Sequence, residues 1–389
     1  EDLVCTFRIS HDDTRYALQN LLNSICSENQ FLYIESVYDG YFYYADYFTG
    51  DAYKQAYKVR KDVVSFSGDP ERVYREFVTQ AEKDELENMR KSYAELKAFK
   101  EDVEAIGENL IVSIQPQVSF TVIDQHTGYV KALVGGRGEK TTNRALNRAT
   151  GSTRQPGSCF KVLSTFAPAI DSYGYTIASV VDDSPFYYDN GRLINNWWDK
   201  ADSPVESRKY RGLQSIRTAI ASSMNVITVK VLTDITPSAG YEYLKDFGFT
   251  TLIESRKNAD GTFDSDINQS LALGGITDGV TNLELCAAYA AIANNGQYTE
   301  PLYYTKVLDN SGKIILEREP EKRQVIKEST AYVLTDAMHD VVTNGGTGTK
   351  ANMKNMYVAG KTGTSSNDYD IWFAGYTPYL TATIWSGYD

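Results

Sequence analysis

Residues 154–161 read Arg154-Gln155-Pro156-Gly157-Ser158-Cys159-Phe160-Lys161. The Pro-Gly pair is a turn signal and the segment after it suits a helix, so the sequence predicts that Ser158 lies at a helix start. Ser158 and Lys161 are three residues apart. On a helix this spacing puts both side chains on one face, where the lysine amine can reach the serine hydroxyl.

This segment combines the parts that acyl transfer needs. A serine hydroxyl is a poor nucleophile until a neighbouring base takes its proton, and a lysine amine can be that base. The first turn of a helix also leaves backbone N–H groups without partners, which suits them to stabilise an oxyanion. The Ser-x-x-Lys spacing alone is weak support, because surface helices contain it by chance.

Two further motifs follow along the chain, namely Ser223-Met224-Asn225 and Lys361-Thr362-Gly363-Thr364. Combined with Ser-x-x-Lys, such Ser-x-Asn and Lys-Thr-Gly motifs mark penicillin-binding proteins and serine β-lactamases. On these three motifs and their order, the chain resembles the transpeptidase half of a bifunctional, class A penicillin-binding protein. The resemblance covers roughly residues 117–389.

The resemblance implies a role for each catalytic residue. Ser158 would be the nucleophile and Lys161 its base. Lys161 can act as a base only when neutral, and burial beside a second cation, Lys361, would lower its pKa towards working pH. Ser223 would relay the proton to the leaving nitrogen, and Asn225 would hold Lys161 and the amide of the substrate.

The resemblance also implies how the substrate is held. Lys361, Thr362 and Thr364 would bind a terminal carboxylate, and Gly363 would remove a side chain that blocks close backbone approach. The oxyanion hole would consist of the backbone N–H groups of Ser158 and Thr364. No metal and no cofactor is implied.

The activity implied is that of a peptidoglycan D,D-transpeptidase. Ser158 would attack the penultimate D-Ala carbonyl of a stem peptide, D-Ala would leave, and an acceptor amine would take the acyl group. β-Lactam antibiotics would acylate the same serine. Two alternatives stay open: a hydrolase, either a D,D-carboxypeptidase or a β-lactamase, and a β-lactam sensor that acylates once. A Glu-x-x-Leu-Asn-like segment between Asn225 and Lys361 is absent, which disfavours the class A lactamase route.

Composition limits the partners and the location. The net charge of −12 and the pI near 4.9 disfavour nucleic acid and anionic membrane surfaces. No apolar run approaches the ~18 residues of a membrane-spanning helix. The N-terminus lacks the basic and apolar regions of a signal peptide. We therefore expect a fragment of an extracytoplasmic protein, whose membrane anchor and glycosyltransferase domain belong to the full-length chain.

The length of 389 residues favours two domains. Residues 1–110 are interpreted as a linker or pedestal, with Tyr-rich strands around a turn at Asp39-Gly40 and a long amphipathic helix near residues 86–106. Its aromatic residues form either an internally packed strand pair or a face that binds sugar or protein. Residues 111–389 are interpreted as the transpeptidase domain.

For residues 111–389 the sequence pattern and the resemblance predict an α/β (α+β) fold like that of serine β-lactamases and penicillin-binding proteins. A β-hairpin over residues 118–134 and three strands over residues 358–385 would form a five-stranded, mainly antiparallel sheet. Helical pattern is predicted over residues 213–232, with Ser223–Asn225 at or just after the end of one helical piece, and a further helix over residues 282–294; these helices would flank the sheet. Family members continue into a last helix that covers the sheet, whereas this chain ends at Asp389.

The four cysteines predict no catalytic role. Cys5 and Cys26 are either free or bridged to each other. Consecutive helical residues differ by ~100°, so if Ser158 faces a cleft, Cys159 points into the protein body. Cys159 and Cys286 are therefore predicted to be small buried residues.

Overall fold

The chain forms two compact units in the computed structural model. The described residues are 3–8, 32–38, 41–46, 109–114, 116–138, 145–199, 204–343 and 345–388. The first unit comprises Glu1–Gln117, Arg137–Ala145 and Tyr388–Asp389, and the second comprises Val118–Gly136 and Leu146–Gly387. The domain boundary expected after residue 110 stays a prediction.

The first unit contains two strand pairs. Strand β1 (Leu3–Arg8) pairs with β4 (Asn109–Ile114), and β2 (Leu32–Tyr38) pairs with β3 (Tyr41–Asp46), both antiparallel. The second pair lies where the Tyr-rich strands were predicted, while the predicted turn at Asp39-Gly40 lies outside the described residues. The predicted amphipathic helix and the possible bridge to Cys26 lie outside the described residues.

The second unit is built around a five-stranded sheet, which confirms the predicted architecture. Its strand order is β15-β16-β17-β5-β6, with antiparallel pairing between β15 and β16, β16 and β17, and β5 and β6. The strands of this unit are β5 (Gln117–Ile123), β6 (Val130–Val134), β7 (Val180–Asp183), β8 (Gly212–Ser215), β9 (Arg256–Lys257), β10 (Phe263–Asp264), β11 (Gln297–Thr299), β12 (Lys306–Leu308), β13 (Ile314–Glu317), β14 (Lys322–Gln324), β15 (Ala359–Thr364), β16 (Asp370–Tyr376) and β17 (Thr381–Gly387).

Helices cover the sheet and fill the centre of this unit. The α-helices are α1 (Arg148–Gly151), α2 (Ala167–Ser172), α3 (Ile216–Ala221), α4 (Asn225–Ile235), α5 (Pro237–Asp246), α6 (Asn282–Ala293) and α7 (Glu328–Val342). Short 3₁₀ segments occur at Gly157–Cys159, Val205–Ser207, Gln269–Leu273, Thr349–Ala351 and Ser366–Asp368, and a π-helical segment at Lys161–Phe166. No helix in the described part of the chain is long and apolar enough to cross a membrane.

Helix α6 anchors the sheet from within the core. It packs on strands β16 and β17, and α7 packs on β15. The helix begins with a capping box, in which Thr281 accepts from the Glu284 backbone and the Glu284 side chain accepts from the Thr281 backbone. Most of its residues are buried, as expected for a helix that is apolar on nearly every face.

Residues 213–232 are helical only in part, and the predicted end of a helical piece at Ser223–Asn225 is confirmed. The chain forms strand β8, then α3, then a break at Ser222–Met224, then α4. This break positions Ser223 and Asn225, the two polar residues of the second motif.

Candidate active site

The segment that carries Ser158 is helical, as predicted, but changes its winding twice. Gly157–Cys159 is a 3₁₀ turn, Lys161–Phe166 is π-helical and α2 follows. π-Helical turns are rare and occur frequently at functional sites. The carbonyl of Cys159, inside this irregular stretch, accepts a hydrogen bond of 2.7 Å from the buried hydroxyl of Tyr289 on α6.

Three glycines allow the backbone beside Ser158 to touch its neighbours. Gly157 has φ +52°, and a Cβ there would lie 2.6 Å from the carbonyl oxygen of Thr364. A Cβ at Gly274, φ +74°, would collide with the Gly157 backbone, and one at Gly363 would lie 2.6 Å from the Pro156 oxygen. Real Cβ atoms do not approach so closely, so these positions require glycine. Gly157, the residue before Ser158, is thereby in contact with both strand β15 and the turn at Gly274.

Two lysine amines converge on Ser223. The Nζ of Lys161 donates to the Ser223 carbonyl at 2.6 Å, to its Oγ at 3.2 Å and to the Oδ1 of Asn225 at 2.5 Å. The Nζ of Lys361 donates to the same Ser223 Oγ at 2.9 Å and to the Thr362 carbonyl at 3.1 Å. The Ser223 hydroxyl therefore bridges the two amines.

Both lysines are fully buried, and burial disfavours their charged forms. Burial, followed by repulsion from Lys361, lowers the pKa of Lys161 well below that of an exposed lysine. Burial lowers the pKa of Lys361 to about 8. Lys161 is thus suited to be the neutral amine that accepts a proton, and Lys361 the amine that keeps its charge near neutral pH.

The expected hydrogen bond between Lys161 and the Ser158 hydroxyl is not formed within the described part of the chain. The lysine amine is instead held by Ser223 and Asn225. Bonds between a nucleophile and its base are often long in a free enzyme and tighten when substrate binds. In this structure the Lys161 amine therefore contacts both polar residues of the Ser223-Met224-Asn225 motif.

Ser223 has φ +52°, a left-handed conformation that costs roughly 1–2 kcal/mol for a residue with a Cβ. In this conformation its carbonyl and its hydroxyl both contact Lys161. Strained backbone that persists in a well-packed region is frequent at active sites.

Asn225 is the first residue of α4, and its side chain has a defined orientation. Its Nδ2 donates to the Asn195 carbonyl at 2.7 Å, so its Oδ1 faces Lys161. Its backbone N–H donates to Oδ1 of Asn196 at 2.9 Å. Sequence reasoning missed Asn195 and Asn196. The only local signal is that these two amides stand between apolar Ile194 and Trp197.

The third motif forms the edge strand β15. Thr362, Gly363 and Thr364 line the cleft, whereas the amine of Lys361 is directed inward to Ser223. The Thr362 hydroxyl pairs with that of Thr347 at 2.7 Å. Thr347 also lines the cleft and was missed; the glycine-rich run Gly345-Gly346-Thr347-Gly348 is the signal that marks it.

The cleft beside Ser158 has a volume of about 1150 Å³. Ser158, Ser223 and Asn225 line it together with the threonines of β15. Its rim includes Trp197, which is 61% exposed. Among the residues described, no group of three or more His, Cys, Asp or Glu side chains is placed to hold a metal ion.

Cys159 is fully buried, which confirms that it points into the protein body. Its Sγ contacts the Lys361 carbonyl at 3.5 Å, and burial raises the pKa of the thiol to about 12. Cys286 is likewise buried, and burial raises its pKa to about 12. The thiolate is the reactive form, so both thiols are protected.

We therefore expect iodoacetamide to leave Cys159 unmodified in the native protein. Mass spectrometry of the alkylated protein measures this directly, and unfolding in denaturant before alkylation is the positive control. Native-state alkylation of Cys159 that prior penicillin binding prevents would show that the thiol shares the cleft with Ser158.

A pH dependence of stability follows from Lys361. Its folded-state pKa of about 8 lies below that of an unfolded lysine, 10.5. Between these values the unfolded state binds more protons, so the free energy of unfolding rises with pH across this window. We expect urea denaturation at pH 8, 9 and 10 to show a smaller rise for Lys361→Met than for the unaltered chain. Equal slopes would mean that Lys361 keeps its proton in the folded state across this pH range, so that burial does not lower its pKa.

Comparison with known proteins gives two family matches. The family described as penicillin binding protein transpeptidase domain matches residues 118–387. A second family, described as a domain of unknown function, matches residues 8–82. The first match contains all three motifs, and the second lies in the region that sequence reasoning did not assign to any family.

The relatives and neighbours agree with the first match. Penicillin-binding protein 1A of Clostridium acetobutylicum is 35% identical over 278 residues, which are 71% of this chain and 33% of that protein. The chain thus spans about a third of the length of the curated relatives it matches.

Solved structures show the same fold. Penicillin-Binding Protein 1A from Haemophilus influenzae has a TM-score of 0.58 at 23% identity, covering 72% of this chain and 44% of that one. The PonA1 protein from Mycobacterium tuberculosis in complex with penicillin V has a TM-score of 0.59 at 24% identity, covering 71% of this chain and 70% of that one. With a match across residues 118–387, the chain belongs to the penicillin-binding protein transpeptidase domain family.

Proposed function

We propose that this chain is a serine-type D,D-transpeptidase that forms an acyl-enzyme on Ser158 from D-Ala-D-Ala stem peptides of peptidoglycan. The observation that carries the proposal is the pair of buried lysine amines joined by the hydroxyl of Ser223, a residue that lines the same cleft as Ser158. A structural lysine is rarely buried without a carboxylate partner, whereas a base for serine needs this burial.

The acylation step follows from the order of these contacts. Neutral Lys161 takes the proton of the Ser158 hydroxyl as Oγ attacks the penultimate D-Ala carbonyl. The Lys161 amine donates to Ser223 Oγ, which in turn faces Lys361, so the proton can pass to the departing D-Ala nitrogen through Ser223. The C–N bond breaks, D-Ala leaves as the free amino acid, and the acyl group stays on Ser158.

The backbone around Ser158 supports the charge that develops in this step. The N–H groups of Ser158 and Thr364 would form the oxyanion hole, and the contact between Gly157 and Thr364 brings these two backbones together. The Thr362 and Thr364 side chains line the cleft and would bind the terminal carboxylate. The buried Lys361 would contribute its charge from below.

The second half-reaction needs an acceptor amine, which would attack the acyl-enzyme and release the cross-linked product. β-Lactams would acylate Ser158 in the same way and stay bound. By its similarity to penicillin-binding protein 1A, the chain would act outside the cytoplasm, in a longer protein that also carries a membrane anchor and a glycosyltransferase domain.

The test is incubation with a stem pentapeptide donor and an amine acceptor, scored by mass spectrometry. We expect a cross-linked product that is absent with Ser158→Ala. Hydrolysis without cross-linking would identify a carboxypeptidase. A stable adduct with penicillin and no turnover of peptide would identify a β-lactam sensor.

A further inference from the structure

The N-terminus of helix α4 is capped by a residue from outside its own segment. Met224, at the N-cap position, provides no side-chain acceptor. The Oδ1 of Asn196 instead accepts from the backbone N–H of Asn225 at 2.9 Å and of Val226 at 3.3 Å. A side-chain acceptor at this position typically stabilises a helix by about 1 kcal/mol. Here it also fixes the residue that contacts Lys161.

Asp183 fixes the orientation of Asn196. The Nδ2 of Asn196 donates to Oδ1 of Asp183 at 2.8 Å, and the backbone N–H of Arg211 donates to Oδ2 at 2.9 Å. A carboxylate only accepts hydrogen bonds, so the amide of Asn196 has to turn its NH₂ to Asp183 and its oxygen to the helix. Asp183 is fully buried and Asn196 is 1% exposed, which makes unmatched groups here costly.

The same segment holds the side chain of Asn225. The carbonyl of Asn195 accepts from its Nδ2 at 2.7 Å, while Asn196 accepts from its backbone. The backbone N–H and the side-chain NH₂ of Asn225 are thus both hydrogen-bonded, and its Oδ1 accepts from Nζ of Lys161 at 2.5 Å. A continuous series of hydrogen bonds thus leads from Asp183 to the base of the proposed reaction.

We propose that Asp183 and Asn196 are positioning residues that act through Asn225 to place the Lys161 amine for acylation. Neither side chain lines the cleft, so they act without touching substrate. This inference rests on the proposed function, because the hydrogen bonds of Asp183 and Asn196 would matter for catalysis only if Ser158 is acylated.

An exchange of the two side chains tests the network. In Asp183→Asn, an amide NH₂ has to face either Asn196 or the Arg211 N–H, so two donors oppose each other. In Asn196→Asp, two buried carboxylates oppose each other. The double variant restores every bond: Asp at 196 accepts from the helix, and Asn at 183 donates to it while accepting from Arg211. Net charge is unchanged.

The readout is acylation by a fluorescent penicillin, resolved into the non-covalent dissociation constant and the first-order acylation rate. We expect each single variant to lower the acylation rate by about tenfold or more, because small misplacements of a reacting group are costly. The dissociation constant stays within about twofold, and the double variant recovers most of the rate. Asp182→Asn, the exposed neighbour, is the matched control and acylates like the unaltered chain.

A role in stability alone would give a different pattern. It would lower the melting temperature of the single variants while their acylation rates at 20 °C below that temperature stay unchanged, and this result would overturn the proposal. Should a single variant not fold, Asn196→Ser, which keeps a small polar side chain, takes its place in the same comparison.

A double-mutant comparison tests the route through Asn225. Adding Asn196→Ala to Asn225→Ala should slow acylation by less than about twofold, since the route is already broken. A full additional loss would overturn the proposal. If the unaltered chain is not acylated at Ser158 at all, the proposed function fails; if it is acylated and the exchange has no effect, only the positioning role fails.

Discussion

Ser158→Ala is expected to abolish covalent labelling by a fluorescent penicillin completely. The hydroxyl is the group of the proposed site that is assigned to form the bond to the acyl carbon. The nearest thiol, Cys159, is fully buried, and burial raises its pKa to about 12.

The fold should survive this change. The Ser158 side chain is only half-buried, and a hydroxyl at a helix start contributes at most ~1 kcal/mol to stability. Gel fluorescence after incubation with the penicillin measures labelling, and thermal melting checks the fold. Ser164→Ala, at a buried serine six residues further along the chain, is the matched control and should label normally. Labelling that persists in Ser158→Ala would contradict the assignment of the nucleophile.

Lys161→Ala is expected to slow acylation by at least ~10²-fold, the lower range for the loss of a positioned base. Its amine has a pKa well below that of an ordinary lysine because it is buried and faces Lys361. Without it, the Ser158 proton has no neutral amine to accept it. Stopped-flow measurement of the acylation rate gives the size of the effect.

Removing a fully buried side chain also leaves a cavity, so a volume-matched variant is needed. Lys161→Met fills nearly the same space without an amine and should be as slow as Lys161→Ala, although more stable. Recovery of the rate in Lys161→Met would mean that packing of the π-helical segment, and not proton transfer, limits acylation. Recovery by added small primary amines in Lys161→Ala would support the assigned role.

The three sequence motifs predicted many of the residues that line the candidate active site. Ser158, Ser223, Asn225 and the cleft-facing residues of β15 lie where the three short motifs predicted, because each motif keeps its residues together on one turn or one strand. The hairpin over residues 118–134 was found for the same reason: alternation of apolar residues is a local property. The five-stranded sheet then followed from the family resemblance together with that alternation.

The remaining features depend on contacts between distant segments. Asp183, Asn196 and Asn225 lie on three separate segments, which contact one another only in the folded chain. The periodicity of apolar residues within each segment does not predict contacts between them. The direction of the Lys361 amine is decided by Ser223, which lies on another element. The end of a helical piece at Ser223–Asn225 was predicted, whereas the left-handed φ of Ser223 within the break between α3 and α4 was not.

The glycine contacts set limits on how this cleft can change during evolution. Gly157 touches the backbones of Thr364 and Gly274, and Gly363 touches Pro156 and Cys159, without room for a single methyl group. A side chain therefore cannot be added at Gly157, Gly274 or Gly363 without shifting the backbone that touches it. Substitutions that change which ligands the cleft accepts should be tolerated instead at the exposed rim, where Trp197 and Ile371 have solvent beside them.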